Sequence, residues 1–418
     1  MIIIGCNKNK DNGLTNQQLI KETNQKRIFS LIYHNNGISR AKIAQSTGLS
    51  PTTVSVLVDE LIDSGLVITK GAGIKATSGR KPIMLEVSNS KYQIACISWK
   101  KSELQYSLYD LKCKEIESIS VSVTKDDDFA KSIYNIVTNQ SQKLESHKLL
   151  ALCISIPAII DHKTKNIIST VLDIRSDYNF VVEIKRWFPD TPIMIGNESA
   201  FYAYAEKEYS STEPIDNLVY ININDGVGAG IIYNREIFKG SYGTAGEFGH
   251  MSIDINGPQC SCGNKGCIER LINFQAIISR VQQDILAGGY SVVKVYCGGD
   301  LDSISFEMIC KALKEDDALV AEIIDDIAKK LAFGINNVIS IFNPEEVVIG
   351  GGMEKLGDKF INNVRKKTKI TGFRKLVSNV KIHYTSLQGN AENKGAAKYF
   401  IDNIFRPTES INSQTTIC

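Results

Sequence analysis

Apolar residues recur at two different periods along this chain, and the period changes twice: near residue 66 and again near residue 91. In an opening segment that begins near Asn16, Ile28, Leu31 and Ile32 fall at helical spacing. A second short helix fits Ser39 to Ser46, with Ser39 as N-cap and Ile43 and Ala44 facing inward. Thr47-Gly48-Leu49 then makes a short turn. Ser50 caps a third helix and Pro51 suits its first position, while Val54, Leu57, Val58, Leu61 and Ile62 form an i, i+3, i+4, i+7, i+8 stripe. Helices laid out this way around a shared apolar core make a helix-turn-helix. Beyond Gly65, residues 66–69 and 82–87 read as two strands joined by a glycine-rich loop ending in Gly79-Arg80-Lys81, which is a wing.

From Lys91 onward apolar strands alternate with helices. Strands are expected at 93–99, 104–111, 149–156, 192–196, 218–223, 228–233 and 346–350, and long helices at 128–146, 198–208, 273–287 and 317–341. Such alternation predicts an α/β fold with helices packed on sheets, and at this length two lobes with a cleft between them. The expected organisation is a winged helix-turn-helix over residues 1–90, a large module over 91–405 and a polar tail over 406–418.

Composition narrows the class. With 43% apolar and 22% charged residues and no apolar run of membrane-spanning length, the chain reads as a soluble multidomain protein. The opening Met-Ile-Ile-Ile-Gly-Cys is too short and lacks the basic leader of a lipoprotein signal, so ten cysteines point to a reducing cytoplasm. Charge is uneven: residues 1–90 hold 11 Lys and Arg against 6 Asp and Glu, and the remainder 37 against 40. A basic helix-turn-helix suits DNA. Thr52, Thr53 and Ser55, with the capping Ser50, stand where short hydroxyls reach base edges, and Arg80 and Lys81 at the wing tip suit phosphate or a minor groove.

Between Gly246 and Glu269 the chain packs two acids, one histidine and three cysteines into a turn-rich segment. His250, Cys260, Cys262 and Cys267 are a ligand set that a tetrahedral Zn²⁺ accepts as a closed structural site. The competing reading, four buried core residues with cysteine acting as a small hydrophobe, fits poorly with a loop so rich in Asn, Gly and Pro. Four protein ligands leave no position for a catalytic water, so the metal is expected to be a staple. Three glycine features are candidates for holding a nucleotide: Asn224-Asp225-Gly226-Val227-Gly228-Ala229-Gly230, Gly350-Gly351-Gly352 and Gly196 before Asn197. Asp225 argues against phosphate at the first.

These glycines, with Gly240, Gly246-Glu247-Phe248-Gly249-His250, the Cys260-to-Glu269 stretch and Asn343-Pro344-Glu345, resemble the ROK family of sugar kinases and sugar-responsive repressors across residues 17 to 405. The amino-terminal Ile38-Ser39-Arg40-Ala41-Lys42 and Thr53-Val54-Ser55 resemble its repressor branch. The Asn197-Glu198 pair and the run from His250 to Pro258 are most similar to Gram-positive xylose repressors. The resemblance implies a winged helix-turn-helix followed by a two-lobed, actin-like ATPase/sugar kinase-type domain. It implies sugar contacts from Asn197, Glu198, Glu247, His250 and Glu269, with His250 also ligating zinc, and a repressor released from operator DNA by a monosaccharide inducer. A homodimer or higher homo-oligomer and no membrane association are expected.

Two departures from the kinases bear on activity. Ser98-Trp99-Lys100-Lys101 stands where the kinases place an acid and glycines for magnesium and phosphate. Glu198 replaces the aspartate that accepts the sugar proton, and a displacement of about 1 Å costs general-base catalysis about 100-fold. No kinase activity and no ATP are therefore expected. Ala158 after Pro157 also replaces a family glycine. An active sugar kinase and a regulator controlled by a protein partner remain the alternative readings.

Overall fold

The computed structural model describes residues 16–35, 37–72, 82–100, 102–124, 128–141, 148–160, 167–170, 179–211 and 213–406. The chain forms two compact units, the first ending at Ile156 and regaining residues up to Gly196 and from Ala396 onward, the second holding most of the rest up to Gly395.

In the first unit, helices Asn16–His34, Arg40–Thr47 and Pro51–Ser64 form the helix-turn-helix. Ser39 Oγ accepts from Lys42 N at 3.3 Å and Ser50 Oγ from Thr53 N at 3.0 Å, as the N-cap pattern predicts. Gly48 and Gly65 end their helices with φ of 73° and 79°, a left-handed conformation that favours glycine. The core holds Ile28, Phe29, Ile32, Ile43, Val54, Val58 and Leu61, all 1% exposed or less. Phe29 takes the inward place that spacing gave to Leu31, which is half-buried. The wing strands are Val67–Ala72 and Ile83–Val87, and Ile38–Ser39 pairs with the latter on its free edge. Arg80 and Lys81 lie outside the described residues, as does the tail beyond Arg406.

The winged helix joins a five-stranded sheet in the order Ile193–Asn197, Lys148–Ile156, Tyr92–Lys100, Glu103–Asp110, Glu115–Ser122. Lys91 Nζ and Tyr92 OH both donate to Ser64 O, at 2.6 and 3.0 Å, so the carbonyl end of the helix Pro51–Ser64 is tied to the first strand of this sheet. Phe405, just past the helix Ala391–Ile404, stacks on Phe29 with ring centroids 3.8 Å apart. Trp99 is 1% exposed and packs on Phe129 at 3.8 Å and Phe180 at 5.3 Å, near the end of the strand Tyr92–Lys100.

The second unit is built on a sheet ordered Glu236–Ile237, Val227–Tyr233, Leu218–Ile223, Glu346–Gly350, Lys381–Tyr384. Side chains alternate across it. Val219, Ile221, Ile223, Val347 and Ile349 pack in one core with the helices Phe274–Leu286, Ala318–Phe342 and Gly357–Thr371. Tyr220 turns the other way and stacks on Tyr202 of the helix Glu198–Tyr209. That helix approaches so closely that a Cβ on Gly230 would sit 2.0 Å from Ser199 O, which accounts for one glycine of the repeated run. Asn343-Pro344-Glu345 also has a structural explanation. Asn343 closes the long helix at φ 44°, proline stops it, and Glu345 Oε1 accepts from the amides of Asp216 and Asn217 at 3.0 Å.

Glu206 on the same helix is 1% exposed and hydrogen-bonded by Thr385 Oγ1. Burial pushes its carboxyl above the ordinary value of 4.5, only partly offset by the hydrogen bonds from Thr385 and Ser210. A raised carboxyl value in the fold means that both states are protonated below 4.5, and that stability is lost as pH rises from there through the folded-state value. Glu206→Gln keeps the shape and the acceptor without the charge. It should melt higher than the wild type at pH 8 and lose that advantage near pH 4.5; calorimetry showing an equal difference at both values would contradict the burial account.

Candidate ligand pocket and metal centre

The ligating atoms of His250, Cys260, Cys262 and Cys267 all lie within 4.8 Å of one another. Two edges of this group are 3.6 Å long, from Cys260 Sγ to His250 Nδ1 and from Cys262 Sγ to Cys267 Sγ. A tetrahedral Zn²⁺ with metal–sulfur bonds of about 2.3 Å puts its ligands about 3.8 Å apart, so the donor set fits a metal of that kind in chemistry and size. The loop reaches this shape through backbone bonds: Cys260 N to Asn264 O at 2.8 Å, Gly263 N to Cys260 O at 3.1 Å and Gly266 N to Pro258 O at 2.9 Å. Gly266, at φ 62°, passes so close to Asp254 O that a Cβ would meet it at 1.7 Å, and its Cα lies 2.7 Å from where a Cβ on Gly257 would stand. Burial and the neighbouring sulfurs push the Cys267 thiol up to about 12, whereas the Asn264 amide lowers that of exposed Cys262.

His250 has two faces. Its Nδ1 belongs to the sulfur cluster, and its Nε2 lies 3.9 Å from Glu247 Oε2, on the wall of a cavity of about 140 Å³. The same cavity is lined by Asn197, Glu198, Glu247, His250 and Glu269, so all five expected sugar residues meet there. Asn197 caps the helix Glu198–Tyr209, its Oδ1 accepting from Ser199 N at 2.9 Å while Nδ2 donates to Ala158 O at 3.3 Å. Glu198 Oε1 accepts from Asn222 Nδ2 at 2.8 Å, and Glu269 Oε2 from Val227 N at 3.0 Å. Burial raises the Glu247 carboxyl, His250 opposes that shift and Glu269 adds to it.

Sequence reasoning missed Asn222, Ser199 and Ser261, which also line the cavity, and it read Asn224, another lining residue, as part of a nucleotide candidate. Asn222 is 3% exposed, and its Nδ2 donates to Glu198 while its buried Oδ1 has no hydrogen-bond partner. Only its polarity within an apolar strand, Leu-Val-Tyr-Ile-Asn-Ile, marked it out. Among the described residues the lining contains three glutamates, three asparagines and a histidine, and no lysine or arginine. Such a wall repels phosphates and accepts the hydroxyls of a neutral polyol.

The glycine run is a β-hairpin. Strands Leu218–Ile223 and Val227–Tyr233 are antiparallel, and Gly226 N donates to Asn224 Oδ1 at 3.0 Å in the turn between them. Gly246 and Gly249 are small because a Cβ on either would lie 2.1 Å from the carbonyl of Ala229 or Val227. Gly351 and Gly352, at φ 83° and 111°, make the turn after Glu346–Gly350. In the helix-turn-helix, Thr52 is exposed and Thr53 and Ser55 are half-buried, while the Ser50 and Thr53 hydroxyls bond each other at 2.8 Å.

The ROK family model matches residues 101–403, and a winged helix-turn-helix DNA-binding model matches residues 21–68. A putative xylose repressor of Caldicellulosiruptor sp. (strain Rt8B.4) is 30% identical, covering 90% of this chain and 94% of the relative. The xylose repressor of Bacillus subtilis (strain 168) is 28% identical, covering 93% and 97%. A crystal structure of a ROK family transcriptional regulator, a homologue of the E. coli Mlc protein, superposes with a TM-score of 0.80 at 25% identity, covering 93% of this chain and 97% of that one.

Proposed function

The chain belongs to the ROK family, and from that premise we propose that it is a sugar-responsive transcriptional repressor, released from operator DNA by a monosaccharide, with xylose as the inducer. The observation that carries this reading is a small cavity whose described lining is rich in carboxylates and amides, on a chain that also bears a winged helix. Relatives named as xylose repressors support the choice of sugar. So does Glu198, one methylene longer than the aspartate of the kinases and held by Asn222, because it fills space that a hexose hydroxymethyl needs.

In this reading the organisation is a DNA-binding domain over 1–90 and a sugar-sensing domain over 91–405. His250, Cys260, Cys262 and Cys267 hold a structural Zn²⁺, which fixes the loop that presents Glu247, His250 and Glu269 to the sugar. Two copies bind a pseudo-palindromic operator through helices Pro51–Ser64, since a two-fold protein matches a two-fold site. The protein works in the cytoplasm without membrane contact; among the described residues no helix is long and apolar enough to cross a membrane. Sugar acts by binding more tightly to a form with weaker operator affinity. A loss of about 100-fold in operator affinity needs about 2.7 kcal/mol of coupling. No phosphoryl transfer is assigned, because Glu198 is engaged by Asn222 and Trp99 is packed between Phe129 and Phe180.

A gel shift with and without xylose, glucose and N-acetylglucosamine, run beside an ATPase control, tests the whole. Sugar-dependent release without ATP turnover is expected; sugar-dependent ATP hydrolysis would establish a kinase instead. Calorimetry should rank xylose above the two hexoses, and tighter glucose binding would remove xylose as the inducer.

A further inference from the structure

The helix Pro51–Ser64, Pro-Thr-Thr-Val-Ser-Val-Leu-Val-Asp-Glu-Leu-Ile-Asp-Ser, contains no lysine, arginine, asparagine, glutamine or histidine. Arginine or lysine on guanine and asparagine or glutamine on adenine are the standard polar readers of the major groove, and this helix offers none of them. Its charges are all acidic and lie toward its C-terminal end. Asp59 is paired with Arg40 at 2.6 Å, Glu60 takes Lys21 at 2.6 Å and Gln25 at 2.5 Å, and Asp63 is exposed. Acids oppose entry of that end between phosphates, so the uncharged first two turns face the bases.

Of the side chains in those turns, Val54 is buried in the core and the Thr53 hydroxyl bonds Ser50 in the cap. Thr52 and Val56 stand four residues apart, on one face, and both are exposed; Val56 is 52% exposed. A lone exposed valine on a solvated helix needs no explanation. Here it is the central exposed side chain of a DNA-reading face whose polar groups are the short hydroxyls of Thr52 and Ser55, with no long amide or cationic side chain beside them. An isopropyl group makes no hydrogen bond, and the apolar mark that base pairs present in the major groove is the thymine C5-methyl.

We propose that Val56 is a specificity-determining residue that reads a thymine C5-methyl, assisted by the methyl of Thr52, so that each operator half-site carries thymine beneath the first two turns of this helix. The inference rests on the operator-binding reading above. It differs from phosphate anchoring in that the contact is independent of charge and confined to one or two base positions.

The test begins by selecting bound sequences from random duplex DNA with the full chain. Deoxyuridine then replaces thymidine one position at a time in the recovered operator, deleting a single methyl and nothing else. The wild type should lose about fourfold in affinity at one or two thymines of each half-site, the value of one buried methyl or methylene. Val56→Ala should bind the unmodified operator about fourfold more weakly and show no further loss at the same thymine, because the methyl has lost its partner. Equal losses for wild type and variant, or half-sites recovered without thymine, would overturn the proposal while leaving operator binding intact. Selection that enriches no sequence would instead remove the DNA-binding reading, and this inference with it.

Discussion

Cys262→Ser is expected to release the bound metal and to reduce the effect of sugar on operator affinity from about 100-fold to below about 10-fold. Cys262 is the exposed corner of the cluster, so its loss disturbs little apolar packing and isolates the metal's part. His250 turns Nδ1 to the sulfurs and Nε2 toward Glu247 at the cavity, so a metal bond on one side of the ring would set what the other side presents. Without the metal, the two remaining sulfurs and the imidazole lose the cation that would hold them in place, and the loop carrying Glu247, His250 and Glu269 is expected to loosen. The helix-turn-helix has its own buried core and is expected to bind operator as before. Metal content by mass spectrometry and gel shifts with and without sugar measure both halves of the expectation. A variant that loses metal yet keeps full inducibility would make the staple irrelevant to sensing.

Glu269→Ala is expected to weaken sugar binding by roughly 10- to 150-fold, the range for losing one charge-assisted hydrogen bond of about 1.5–3 kcal/mol. Glu269 is held in place by Val227 N at 3.0 Å and lines the cavity with Glu247 and Glu198. Glu269→Gln keeps the acceptor for Val227 and loses the charge, so its affinity should fall between those of the wild type and the alanine variant. Operator binding without sugar should be unchanged in both. Titration calorimetry that places the alanine variant within about threefold of the wild type would exclude Glu269 from the sugar contacts.

Much of this was legible along the chain. Ser39 and Ser50 predict their helices because a cap is a bond across three residues, and the structure has both bonds. The stripe Val54, Leu57, Val58, Leu61 and Ile62 predicts the buried face of the third helix, and the first four are buried while Ile62 at its edge is half-buried. The four candidate metal ligands lie within 18 residues of one another in a turn-rich loop, so local folding suffices to gather them. Where the pattern misled, packing over longer range was the cause. Phe29 is buried and stacks on Phe405, far along the chain, whereas Leu31 is only half-buried. The strand Lys381–Tyr384 and the helix Gly357–Thr371 were not singled out, since short or strongly charged elements give weak periodic signals.

Sequence by itself determined the capped helix-turn-helix, the alternation of strands and helices, and the chemical kinds of side chain available to a metal and a sugar. Each of these rests on hydrogen bonds or side-chain spacing within a few residues. Tertiary structure alone decided that Asn222 from mid-strand holds Glu198, that Glu269 is fixed by the amide of Val227, that His250 serves cluster and cavity with different nitrogens, and that the glycine run is a hairpin pressed against a helix. These contacts join residues from 197 to 269 through the packing of one helix and one loop on one sheet, and no local pattern encodes the distances that packing sets.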